Sequence, residues 1–100
     1  MRLTDDDLSA LQIEIMLNPL DAPVISGTGG VRKLRFAPQS RSAGKSGGAR
    51  VLYAVFPKHS VAVLAAVYSK RQQQSIGPDE KKSLKRILGE IASILDGGTG

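Results

Sequence analysis

Arg50-Val51-Leu52-Tyr53-Ala54-Val55-Phe56, then Pro57-Lys58-His59-Ser60, then Val61-Ala62-Val63-Leu64-Ala65-Ala66-Val67-Tyr68-Ser69 is the stretch that decides the fold. Two runs rich in Val, Leu and aromatic residues flank a short segment with proline and serine, which predicts an antiparallel hairpin. Val61 to Ser69 is apolar on both faces, the pattern of a central strand. Upstream, Arg32 to Ala37 alternates: Leu34 and Phe36 point one way, Lys33 and Arg35 the other. It reads as a further strand. Pro38 to Gly48, rich in Ser, Gly and bases, reads as the loop that joins it to the hairpin.

A helix is expected on either side of these strands. Thr4 precedes Asp5-Asp6-Asp7, a capping residue followed by acids at the positive end of a helix. Leu8, Leu11 and Ile15 share a face with Met16 beside them, so the helix runs from Asp5 to Leu17 and stops before Pro19. The three acids point in different directions and suit a solvated helix end better than a metal site. Leu20 to Gly30 is a loop punctuated by Pro23, Gly27, Gly29 and Gly30. Gly77-Pro78-Asp79-Glu80 opens a second helix, which reaches Leu95 and ends at Gly97-Gly98. Its apolar stripe is Leu84, Ile87, Leu88, Ile91, Ile94 and Leu95; Lys81, Lys82, Lys85 and Arg86 fall on the other face. The expected fold is α+β: one domain over residues 1–100, with a small twisted antiparallel sheet of three to four strands, an N-terminal helix and a C-terminal helix. Such a sheet is expected to be apolar toward the helices and basic toward solvent.

Charge is distributed unevenly along this frame. From Ala22 to Pro78 there is no carboxylate, while Arg32, Lys33, Arg35, Arg41, Lys45, Arg50, Lys58, Lys70 and Arg71 lie within it. Solubilising surfaces mix the two signs, so an uncompensated basic segment points to an anionic partner. Phosphate is the anion that Arg and Lys serve best. Carboxylate-based catalysis is excluded from this segment, which leaves Lys, Arg, Tyr, Ser and His59.

Other function classes are set aside by composition. Without cysteine there is neither a disulfide nor a thiolate metal site, which suits a reducing compartment such as the cytoplasm. Four aromatics, Phe36, Tyr53, Phe56 and Tyr68, are few for a protein that stacks single-stranded bases. The apolar run from Val61 to Tyr68 is too short to span a bilayer, and no membrane association is expected. Gly44-Lys45-Ser46-Gly47-Gly48 lacks the upstream glycine and the following helix of a nucleotide-binding P-loop, since Gln39 stands five before Gly44 and a strand follows. Its amides and Lys45 remain candidates for contact with an RNA backbone. His59 sits in a turn with no nearby Asp, which does not make a catalytic triad.

Four blocks together resemble a known family: Gly27-Thr28-Gly29-Gly30-Val31-Arg32-Lys33-Leu34-Arg35-Phe36-Ala37, Gly44-Lys45-Ser46-Gly47-Gly48-Ala49-Arg50-Val51-Leu52-Tyr53, Tyr68-Ser69-Lys70, and Pro78-Asp79-Glu80-Lys81-Lys82. They are similar to the RelE/ParE toxin superfamily, and most to the HigB-like branch of type II toxin–antitoxin pairs. The likeness runs from Gly27 to Leu88, and the first helix with its Asn18-Pro19 is similar too.

The resemblance implies a RelE-like, microbial-RNase-type fold and a ribosome-dependent endoribonuclease that cuts messenger RNA. It implies a cognate antitoxin with a helix-turn-helix, and a toxin–antitoxin hetero-oligomer. The family's catalytic positions correspond to Lys33, Arg35, Arg50, Lys70 and Arg71; a RelE tyrosine falls at Gly77 here, which hands its role to Tyr68. Arg32, Arg41 and Lys45 are expected to bind RNA. The chemistry these residues allow is attack of the 2′-OH on the adjacent phosphorus, without metal or cofactor. Arg50 and Arg71 would hold the phosphorane oxygens, Lys33 would accept a proton, and Tyr68 or Lys70 would donate one. Two other readings keep the same fold: a ParE-like inhibitor of a topoisomerase that acts by protein contacts, and a nucleic-acid-binding module without catalysis.

Overall fold

The computed structural model describes residues 3–37, 48–69 and 76–97. Helix α1 spans Asp5–Leu17, strands β1, β2 and β3 span Arg32–Phe36, Ala49–Phe56 and Val61–Ser69, and helix α2 spans Pro78–Leu95. The strands form one antiparallel sheet in the order β1-β2-β3, the α+β layout expected. A single 3₁₀ turn at Pro57–His59 joins β2 to β3, and Ser60 takes the left-handed conformation that closes it.

The central strand is β2, not β3. Ala49 to Ala54 are all buried, whereas β3 lies at the edge with Ala62, Leu64, Ala65 and Ala66 exposed. A run apolar on both faces is equally the sequence of an edge strand whose side chains are small. The charge of Arg50 disguised the true centre. Among the described residues no further strand pairs with the outer edge of β3. The outer edge of β1 is partly covered: Val24 bridges Arg32, Lys33 N donates to Pro23 O at 3.0 Å, and Ile25 N donates to Val31 O at 2.8 Å.

The helix α1 begins as its cap predicts. Asp7 N donates to Thr4 Oγ1 and Thr4 N donates to Asp7 Oδ2, each at 3.1 Å. That reciprocal pair satisfies two free amides. Asp7 is wholly buried, so one of the three acids belongs to the packed seam of Asp7, Leu11 and Ile15, rather than to a solvated end. Leu8 is pushed to the margin and Met16 is 76% exposed. The core joins Leu11, Ile15, Ala22, Phe36, Val51 and Tyr53, so α1 covers the sheet face that carries Phe36 and Val51.

The helix α2 takes the opposite face. Leu52 points away from Val51, and with Ile76, Asp79, Glu80, Ser83 and Leu84 it lines a hollow of about 410 Å³. At the far end, Asp96 reaches the turn after β2, where His59 Nε2 lies 2.6 Å from its Oδ1. Eighteen residues of helix, about 27 Å, thus follow β2 on its Leu52 side. Ala54, on that side, is 3% exposed. Half-buried positions of α2 recur at Lys81, Leu84, Leu88, Ile91 and Leu95, while Ile87 and Ile94 are exposed. Helices therefore cover both faces, and the expectation of one apolar helical face and one bare basic face is corrected. Alternation along β2 requires it: Leu52 and Ala54 need cover as much as Val51 and Tyr53 do.

Candidate functional site

The register of the sheet places the site. Arg35 pairs with Arg50 across β1 and β2, and Arg50 pairs with Tyr68 across β2 and β3. Directly opposed residues of an antiparallel pair project to the same side, so Arg35, Arg50 and Tyr68 form one row across all three strands. Lys33, two residues before Arg35, shares that side and faces Leu52. The row lies on the α2 side of the sheet, at the end of β2 that precedes the Leu52 hollow.

Lys33, Arg35 and Arg50, with Ala22, Pro23 and Leu34, line an open hollow of about 420 Å³. Arg50 is only 6% exposed and Lys33 and Tyr68 are half-buried, while Arg35 is exposed. Among the described residues no carboxylate comes within ion-pair distance of Lys33 or Arg35. A fork-shaped guanidinium supplies two parallel donors, so this row is chemically suited to the oxygens of a phosphodiester.

Arg32 points to the other side of β1 and has structural work. Its Nη1 donates to Leu20 O at 3.0 Å and to Ala22 O at 2.6 Å. Tyr53 O–H donates to Pro19 O at 2.9 Å from within the core. Together they tie the Pro19–Ala22 segment beside the hollow. Burial pushes the Tyr53 phenol above its usual range, with the nearby Arg32 charge opposing that shift. Arg41, Lys45, Lys70 and Arg71 lie outside the described residues. Of the expected site residues, Lys33, Arg35, Arg50 and Tyr68 come together, and Arg32 turns away.

His59 does have an acidic neighbour. Asp96 Oδ1 lies 2.6 Å from His59 Nε2 and 3.4 Å from Lys58 Nζ. The hydrogen bond to His59, and then the Lys58 charge, hold the Asp96 carboxyl below the usual carboxylate range. The contact spans thirty-seven residues, which no local pattern reveals. It fastens α2 to the β2–β3 turn and stands apart from the Arg35–Arg50–Tyr68 row. Among the described residues no three His, Asp or Glu side chains gather as a metal site would need. None of the described helices is long and apolar enough to cross a membrane. No protein-family model matches the chain.

Proposed function

We propose that the chain is a metal-free endoribonuclease that cuts messenger RNA on the ribosome, as the toxin of a type II toxin–antitoxin pair. One observation carries the proposal: Arg35, Arg50 and Tyr68 occupy a single row across the sheet, with Lys33 on the same side. The likeness of the Gly27–Ala37 and Gly44–Tyr53 blocks to RelE/ParE toxins of the HigB-like branch supports the same reading.

In this reading Arg35 and Arg50 hold the non-bridging oxygens of the scissile phosphate. The ribose 2′-oxygen attacks phosphorus while the Lys33 amine takes its proton. The bond from phosphorus to the 5′-oxygen breaks, and the Tyr68 phenol protonates the leaving oxygen. The products are a 2′,3′-cyclic phosphate and a 5′-hydroxyl, and the charges balance without a metal. Lys70 and Arg71 come two and three residues after Tyr68 in the chain and would add donors to the phosphorane. A ribosome that orients the attacking oxygen would supply much of the acceleration. This reading places the protein in the cytoplasm with a cognate helix-turn-helix antitoxin as its neutralising partner.

Purified protein added to ribosomes programmed with a defined messenger tests this. Cuts that leave 5′-hydroxyl ends are expected, and Arg35→Ala should lose them. An intact messenger, with topoisomerase activity inhibited instead, would support the ParE-like reading and reject the nuclease.

A further inference from the structure

A second pair of cations is held in place beside the same face. The Gly27–Gly30 turn runs directly into β1 and is packed against α2. A methyl group on Gly27 would stand 3.4 Å from Lys81 Cδ, and one on Gly29 would stand 3.2 Å from Lys85 Cγ. Both glycines have positive φ, +83° and +78°, so the turn needs glycine for its backbone as well as for the space. The turn is pinned from within: buried Thr28 donates through Oγ1 to Ile25 O at 2.7 Å and accepts from Val31 N at 2.9 Å. The two lysine stems therefore lie on a fixed surface, as long basic side chains do when their heads stay in water.

Three features distinguish Lys81 and Lys85 from ordinary surface lysines. Among the described residues neither has a carboxylate within ion-pair distance. The neighbouring Glu80 is committed to the helix cap, where its Oε2 accepts from Gly77 N at 2.6 Å. And the turn on which the two stems lie leads through Val31 into β1, the strand that carries Lys33 and Arg35. Asp79 and Glu80 line the hollow beside Leu52. Lysines four apart on a helix stand about 6 Å from each other.

We propose that Lys81 and Lys85 form a second phosphate-contact site, which holds the RNA strand flanking the phosphate gripped by Arg35 and Arg50. The site rests on the reading of the sheet face as RNA-binding. It assigns to α2 a role in substrate length: RNA long enough to reach from the row to the glycine turn gains two contacts, and a shorter piece gains none.

The test is binding of single-stranded RNA of about 4 and about 16 nucleotides, titrated with salt. Lys81→Gln with Lys85→Gln should leave the short RNA unaffected. For the long RNA it should flatten the salt dependence by about 1.4 in log–log slope, which is roughly 25-fold in affinity between 1 M and 0.1 M salt. Gly29→Ala, which displaces the Lys85 stem, should weaken the long RNA alone. Lys82→Gln, an exposed neighbour with no such seat, is the control and should change much less. Helix content by circular dichroism checks that each variant folds. If the double variant binds long RNA with an unaltered slope while Arg35→Gln weakens both lengths, the second site is wrong and the sheet-face reading stands. If Lys82→Gln matches the double variant, the effect is net charge and the second site is again wrong. If wild-type protein binds neither RNA, the sheet-face reading itself fails.

Discussion

Arg35 and Arg50 stand directly opposite one another on adjacent strands, with both guanidinium groups on the same side of the sheet. Like charges at opposed positions oppose folding. Arg35 is the exposed member of the pair and Arg50 the buried one. Removing the charge at position 35 should therefore stabilise the protein and, on the proposed function, weaken its binding of RNA.

Arg35→Gln is the variant for that comparison. Its unfolding free energy should rise by about 0.2–1 kcal/mol, seen as a higher urea midpoint with the same slope. On the proposed function, RNA binding should fall in the same protein. A loss of stability on substitution would show that Arg35 is held by favourable contacts, and would remove the argument from charge crowding.

Gly48→Ala should do the reverse of a mild change. Gly48 has φ +81°, and a methyl group there would lie 2.6 Å from Phe36 O, a backbone atom that cannot swing away. The left-handed conformation alone costs an L-residue about 1–2 kcal/mol. The clash adds to it and falls at the Phe36↔Ala49 end of the β1–β2 ladder, one residue pair from Arg35 and Arg50. The urea midpoint should drop by an amount worth at least about 2 kcal/mol, and on the proposed function RNA cleavage should drop with it.

Tyr53→Phe removes the hydrogen bond to Pro19 O. The expected cost is about 1 kcal/mol near neutral pH. The phenol titrates above the ordinary tyrosine value of 10.0 because it is buried. Its contribution is therefore complete below that pH and is lost as pH rises through the folded-state value, where only the unfolded chain has released its proton. Wild-type stability should fall more steeply than that of Tyr53→Phe on the alkaline side. Parallel curves would contradict the burial of this hydroxyl.

Asp96→Asn should loosen the C-terminal end of α2. The Asp96 carboxyl is depressed below the ordinary aspartate value of 3.8 by His59 and Lys58, so its contribution is present above that pH and fades as pH falls through the lower folded-state value. Amide exchange in the last turns of α2 should quicken in Asp96→Asn at pH 6, and wild type should approach it on acidification. Equal protection at pH 6 would mean that the contact with the β2–β3 turn does not hold the helix.

The exposed edge of β3 makes a prediction about association. Val61 to Ser69 carries no charge, and among the described residues no further strand pairs with the outer edge of β3. Such an edge invites pairing with another strand. Leu64→Lys should keep the fold and reduce association at high protein concentration, as read by sedimentation. Unchanged association would place the contact elsewhere.

Much of this molecule was legible in its sequence because local signals agreed. Thr4 with three acids, Pro78 after Gly77, and the turn at Pro57–Ser60 set element boundaries within a residue or so of those observed. Alternation at Lys33 and Arg35 gave the correct facing, and the cross-strand row followed once Arg50 and Tyr68 were paired. What escaped was non-local. Nothing in Val61–Ser69 says that it ends the sheet, because edge position depends on which strand pairs with β1. The placement of α2 escaped because an amphipathic stripe states that a face is covered, not which one. Lys81 lies off the apolar stripe of α2, yet its stem is half-buried on Gly27. Glycines two apart and lysines four apart were both visible; their meeting was not. The Asp96–His59 contact likewise needed the tertiary arrangement that brings the end of α2 to the turn.

The covering of Leu52 and Ala54 by α2 also bears on how the chain is made. During translation α1 and the three strands leave the ribosome before Pro78 does. Until α2 emerges, one side of the nascent sheet presents Leu52 and Ala54 to water, next to a row of cations and close to ribosomal RNA. The finished structure therefore has to wait for its last helix, and a chain stalled before that point would display a half-built, apolar and basic surface to whatever polyanion or chaperone stands at the exit.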